Sequence, residues 1–155
     1  MSGEIPVTQD ERTWAGLAHG SILLAPFTSG LGGIVAALVI WALQKEKSTW
    51  GAGQALQALV YQALAFLVTM VAWCCWGALW TLLILVPIAG DPAAYETTLP
   101  AGFWVGLGLM IVPLALWAVT ILYGLWAAVR SFGGQDFKYV IIGRWLDRQQ
   151  TTPAA

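Results

Sequence analysis

Few side chains in this 155-residue chain could do chemistry, and they lie far apart. His19 is the only histidine, and an ionisable group inside a long apolar stretch invites a functional reading. It has no charged neighbour in sequence, and a neutral imidazole can equally hydrogen-bond a facing helix. One histidine is also too few ligands for a metal site. The structural reading is preferred. Gln54, Gln57 and Gln62 form the second set. On a helix Gln54 and Gln57 fall one turn apart, with Gln62 two turns along from Gln54. They could line a hydrophilic vestibule, or stitch membrane helices together at ~0.6–2 kcal/mol per bond; stitching is preferred. Cys74 and Cys75 are adjacent, which rarely suits disulfide geometry, and they read as buried thiols packed as small apolar residues. The glycines at 30–33 are followed by no lysine and hydroxyl of a phosphate-binding loop. No catalytic residue, cofactor or metal ligand is assigned.

The elements that must position these residues follow from the distribution of charge. Hydrophobic residues make up 59% of the chain and charged residues only 10%, with a mean hydropathy of +0.72. An average soluble domain is roughly a quarter charged, so 7 Lys/Arg and 8 Asp/Glu are too few to cover a soluble surface. The chain reads as an integral membrane protein. Disorder is excluded by the same numbers, and a net charge of -1 leaves no footprint for nucleic acid. The charges fall at 4–12, 45–47, 91–96 and 130–148. Between them lie charge-free runs at 13–44, 48–90 and 97–129, each longer than the roughly 20 residues a spanning helix needs. Without an Asp, Glu, Lys or Arg in those runs, no intramembrane acid or base is offered for catalysis or proton relay.

Within the runs, Thr8 and Glu11 fit a capping box that starts a helix running to about Ala25. Pro26, Ser29, Gly30, Gly32 and Gly33 break it, and a second piece covers about Leu31 to Gln44. The run is therefore one kinked span or a hairpin of two short helices. The next helix is expected from near Gly53 to Pro87. The last opens at Pro100, is kinked by Pro113 and is ended by Gly133-Gly134. Ile141–Arg148 reads as a short amphipathic surface helix. Gly16 and Gly20, and Gly102 and Gly106, have the small-residue spacing that lets helices approach closely. Trp14, Trp41, Trp50, Trp104, Trp126 and Trp145 lie near span ends, where indoles favour the interface. Trp73, Trp76 and Trp80 are expected to pack or to face lipid.

The expected fold class is all-α: an integral membrane helical bundle with three transmembrane helices plus an N-terminal broken or hairpin helix, three to four spans in all. Residues 1–9 read as a tail, 10–148 as one membrane domain and 149–155 as a flexible tail. The basic residues at 45–47 and after 129 place the 45–53 loop and the C-terminus in the cytoplasm, with 90–98 outside. The N-terminal side depends on whether 13–44 crosses once or twice. No removable signal peptide is read at the start, and a bacterial plasma membrane is the expected location.

Several short strings resemble one family. Glu11-Arg12-Thr13-Trp14-Ala15-Gly16-Leu17-Ala18-His19, Ile40-Trp41-Ala42-Leu43-Gln44-Lys45-Glu46, Ala58-Leu59-Val60-Tyr61-Gln62 and Gly133-Gly134-Gln135-Asp136-Phe137-Lys138-Tyr139 resemble segments of small bacterial membrane proteins grouped as Tic20-like. That group is named after a chloroplast inner-envelope protein-import component. Val60 stands where Asn is usual, and Val140 where proline is usual. Gln54 and Gln57 stand where many relatives carry His and Glu. The resemblance implies a compact four-helix-like membrane fold and a link to protein translocation. The expected function is thus a non-enzymatic subunit acting through partners, in translocation or membrane-complex assembly. Its expected partners are the lipid bilayer and a membrane protein or a second copy. The alternative is a small channel or transporter that uses the broken helix near 26–33 and the Gln54/Gln57/Gln62 face.

Overall fold

The computed structural model describes residues 7–140, and every regular element among them is helical. In chain order the helices are α1 (Gln9–Gly20), α2 (Leu31–Gln44), α3 (Thr49–Gly90), α4 (Ala101–Leu109) and α5 (Ile111–Phe132), with 3-10 turns at Ser21–Phe27 and Pro92–Tyr95. The expected helix at Ile141–Arg148, Trp145 and the 149–155 tail lie outside the described residues.

Each boundary has a local cause. The Thr8 amide donates to the Glu11 carboxylate, and the Glu11 amide donates back to the Thr8 hydroxyl, completing the capping box that starts α1. That helix stops at Gly20, earlier than the expected Ala25. The Ser21 hydroxyl donates to the Ala18 carbonyl, and Pro26 brings no amide hydrogen, so the chain tightens into the 3-10 turn. Gly30, at φ 92, supplies the left-handed residue from which α2 starts, and α2 ends at Gln44 as expected. Helix α3 is longer than the expected Gly53–Pro87, because Ser48 receives the Gly51 amide at its start and Pro87 sits in its last turns. The interruption at Met110 separates α4 from α5: Pro113 has no N–H for the Leu109 carbonyl four residues back. Gly134 at φ 73 turns the chain out of α5, with the Gln135 amide on the Arg130 carbonyl.

Two segments, Thr49–Gly90 and Ala101–Phe132, are long and apolar enough to cross a bilayer. This corrects the expected three spans plus a broken helix. Residues 9–44 hold pieces of 12, 7 and 14 residues, none of which reaches the length required.

The chain divides into two compact units: residues up to Phe66 with those from Thr120 onward, and Leu67–Val119. In the first unit Ala18, Ala37, Ala55 and Ala58 pack with Ile40 where α1, α2 and α3 meet. The small side chains let the backbones approach. Gly16 has the same effect, since a Cβ there would overlap the Phe132 ring, while a Cβ at Gly20 would meet Ala128 only in ordinary contact. In the second unit, Gly102 packs on the Leu83 carbonyl, the one that Pro87 leaves without its helical donor. Gly106 lies under the Trp80 indole. Trp76 donates to the Gly106 carbonyl at 2.8 Å and Trp80 to the Phe103 carbonyl at 3.1 Å. Cys74 and Cys75, expected to be buried, are exposed and unpaired because they fall on the outward side of α3.

Candidate functional site: a buried polar cluster in the first unit

The interior of the first unit combines small apolar side chains with buried polar ones, and many large apolar side chains lie on its surface. His19, Gln44, Ser48, Gln54, Gln57, Gln62 and Ser131 are buried, whereas Leu17, Leu31, Val35 and Leu122 are bare. In water this distribution would be costly. In lipid it is the economical one, since buried polar groups there must find partners inside the protein.

His19 lies at the centre. Its Nε2 is 3.1 Å from Gln54 Oε1, and its Nδ1 is 3.0 Å from the Tyr139 hydroxyl. Gln54 fixes the proton positions. Its Nε2 donates to the Asp136 carboxylate at 2.7 Å, so its Oε1 must be the atom facing His19. A glutamine oxygen only accepts, so the His19 proton sits on Nε2, and Nδ1 accepts from the Tyr139 O–H. Ser131 donates a longer bond of 3.4 Å to the same Gln54 oxygen. Gln57 holds the backbone of the same segment, its Oε1 accepting the Tyr139 amide at 3.4 Å. Tyr139 stacks on Tyr61 at 4.1 Å between ring centroids, with Tyr123 and Phe137 edge-on around it. The Tyr61 hydroxyl donates to the Thr120 carbonyl.

Gln62 belongs to a second, separate group. Its Nε2 donates to the Ala18 carbonyl at 3.0 Å and to the Ser21 hydroxyl at 3.1 Å, and Ser21 in turn donates to the carbonyls of Ala18 and Gly33. Gly33 has no side chain where the Gln62 amide sits, and a Cβ would overlap it. Gln62 therefore braces the break between α1 and α2.

The structure thus joins His19, Gln54 and Gln57 in one cluster and sets Gln62 in another. Each of the three glutamine side chains is buried and has an amide atom engaged inside the unit. Tyr139, Asp136 and Ser131 had no sequence signal, since each is remote in sequence from the group it meets. The cluster is a chain of donors and acceptors that fixes one arrangement. Among the described residues no group of three or more His, Cys, Asp or Glu could hold a metal ion.

At the start of α1, Glu11 also accepts from the Ser48 hydroxyl, which ties α1 to the turn after α2. That bond, followed by those from the Thr8 amide and hydroxyl, holds the Glu11 carboxyl below the usual carboxylate range. Lys45 lies over Trp41 and Arg130 over Trp126, each at close to 6 Å from the ring centroid.

Comparison with known proteins supplies what geometry cannot. No curated protein and no solved structure matches the chain. A family model does, over residues 10–146, and it describes magnetosome magnetite crystal formation proteins. This overturns the Tic20-like resemblance drawn from short strings, together with the link to translocation that came with it. The match covers both units and every residue of the polar cluster, and on that extent the chain belongs to the magnetosome magnetite crystal formation family, MamF/MmsF.

Proposed function

We propose that this chain is a helical protein of the magnetosome membrane that takes part in forming the magnetite crystal, without catalysing a reaction itself. The observation that carries the reading is the family match across residues 10–146. The inside-out distribution of polar and apolar side chains supports residence in a bilayer. In this reading His19, Gln54, Gln57 and Gln62 hold the architecture, and Gly16, Gly20, Gly102 and Gly106 set helix distances. The chain acts through a second membrane protein or a second copy of itself. The 45–53 loop and the C-terminus face the cytoplasm, following the basic residues.

The test is deletion of the gene in its magnetite-forming host, with crystal size and number measured by electron microscopy. Altered crystals, restored by the wild-type gene, are expected. Crystals indistinguishable from wild type, or a protein absent from the isolated magnetosome fraction, would sink the proposal.

A further inference from the structure

We infer that residues 9–44 form a re-entrant hairpin that enters and leaves the bilayer on one side, with its tip among the acyl chains. This rests on residence in a membrane and not on the role in crystal formation.

The first observation is that the two ends of the segment meet. Glu11, in the first turn of α1, accepts from Ser48, just beyond α2. The charged residues Asp10, Glu11 and Arg12 therefore lie at the same end of the unit as Lys45, Glu46 and Lys47. A single crossing would put these two clusters on opposite faces.

The second observation is a length. Gly30, at the tip, lies against the Phe66 ring of α3. From Thr49 to Phe66 is 17 residues, about 26 Å of helix, less than the roughly 30 Å hydrocarbon core. Helix α3 then runs 24 residues further, to Gly90, before the next charge at Asp91. The hairpin is thus well short of the length over which α3 stays free of charge. Its arms agree: α2 rises about 21 Å in 14 residues.

The third observation is the chemistry of the tip. Residues 26–33 carry no charge, and Phe27 is 85% exposed. Yet the turn bonds much of its own backbone. The Thr28 hydroxyl donates to the Leu24 carbonyl and accepts the Gly32 amide, while the Gly30 amide donates to the Ala25 carbonyl. Bare aromatic and aliphatic side chains around an internally bonded turn suit a medium that offers no hydrogen bonds. Leu31, Val35 and Leu38 carry the apolar face down α2. Lipid is the occupant that fits all three observations.

The experiment uses the full chain in sealed vesicles, with Cys74→Ala and Cys75→Ala as background. Gln9→Cys, Lys47→Cys and Phe27→Cys are each treated with a membrane-impermeant maleimide from either side. Positions 9 and 47 are expected to react from the same side. Position 27 should react only with a permeant maleimide, and a fluorophore placed there should be quenched by lipids brominated on the acyl chains. Leu24→Cys repeats the tip measurement should the Phe27 variant fail to insert. Labelling of 9 and 47 from opposite sides, or of the tip by the impermeant reagent, would overturn the hairpin. So would an unquenched tip with Val35→Cys cross-linking between copies, which would make the occupant a second chain. A failed hairpin leaves the crystal phenotype of the deletion unaffected, so the two proposals fail separately.

Discussion

The two units solve the same packing problem with different materials. In the first, α1, α3 and α5 are joined through directional bonds among His19, Gln54, Gln57, Gln62, Ser131 and the 133–140 segment, and α2 through the Ser21 hydroxyl on the Gly33 carbonyl. In the second, Thr69 is the only buried polar side chain among the described residues. There the helices meet chiefly through shape: Gly102 on the Leu83 carbonyl, Gly106 under Trp80, and a ladder of Trp73, Trp76, Trp80 and Phe103 rings, with the Trp76 and Trp80 indoles each donating one bond to an α4 carbonyl. Between helices in lipid the hydrophobic effect adds little, so close packing and interhelical hydrogen bonds are the two available devices. Each unit relies mainly on one of them. A change of polarity should weigh most on the hydrogen-bonded cluster, and a change of volume most on the glycine–tryptophan seam.

Substitutions of opposite kind should therefore separate the units. Gln54→Leu keeps the volume but removes the partner of the buried His19 and Ser131, and should cost about 3 kcal/mol, since each unsatisfied buried group costs roughly 1–3. Thermal unfolding in detergent measures it, and a shift no larger than that of a surface variant would show the cluster to be dispensable. Gly102→Ala makes the opposite change, adding one methyl group against a backbone carbonyl that cannot move aside. About 2 kcal/mol is expected from overpacking in the same assay. The two variants share no partner, so their effects should add to within roughly 0.5 kcal/mol; strong coupling would mean the units are not independent.

Tyr139→Phe keeps the stack on Tyr61 and loses only the bond to His19, for about 1 kcal/mol. Nearly full retention of stability would assign the anchoring of this segment to ring packing instead. The smallest effect belongs to Glu11. Its folded carboxyl titrates below its unfolded value, so its contribution is complete above the usual carboxylate range and lost as pH falls through the folded value. Melting curves from pH 7 down to pH 3 should show a component that Glu11→Gln removes. An identical pH dependence in the variant would leave the Ser48 bond without consequence for stability.

What could be read from sequence was local. The Thr8–Glu11 box, the existence of a break before α2 and the limits of α2 each depend on residues within a few positions of one another. The charge-free runs named the solvent, but overstated the spans because they say nothing of where a helix breaks. The polar cluster could be read only in part: His19 and the glutamines stood out against apolar neighbours, while Tyr139 and Asp136 did not. Their partners lie 120 and 82 residues away, and no periodicity links such distant positions. The family was misjudged for a related reason, since short strings at helix ends reflect membrane boundaries common to many chains.

That separation also has a consequence in time. The chain emerges from the ribosome at about 5–20 residues per second, so His19 waits many seconds before Tyr139 exists. Through that interval α1 to α3 must be tolerated with His19 Nδ1, and the Gln54 amide that will meet Asp136, not yet partnered. The last residues to be made complete the bonding of some of the first. A chain cut short before Asp136 would leave both groups without those partners.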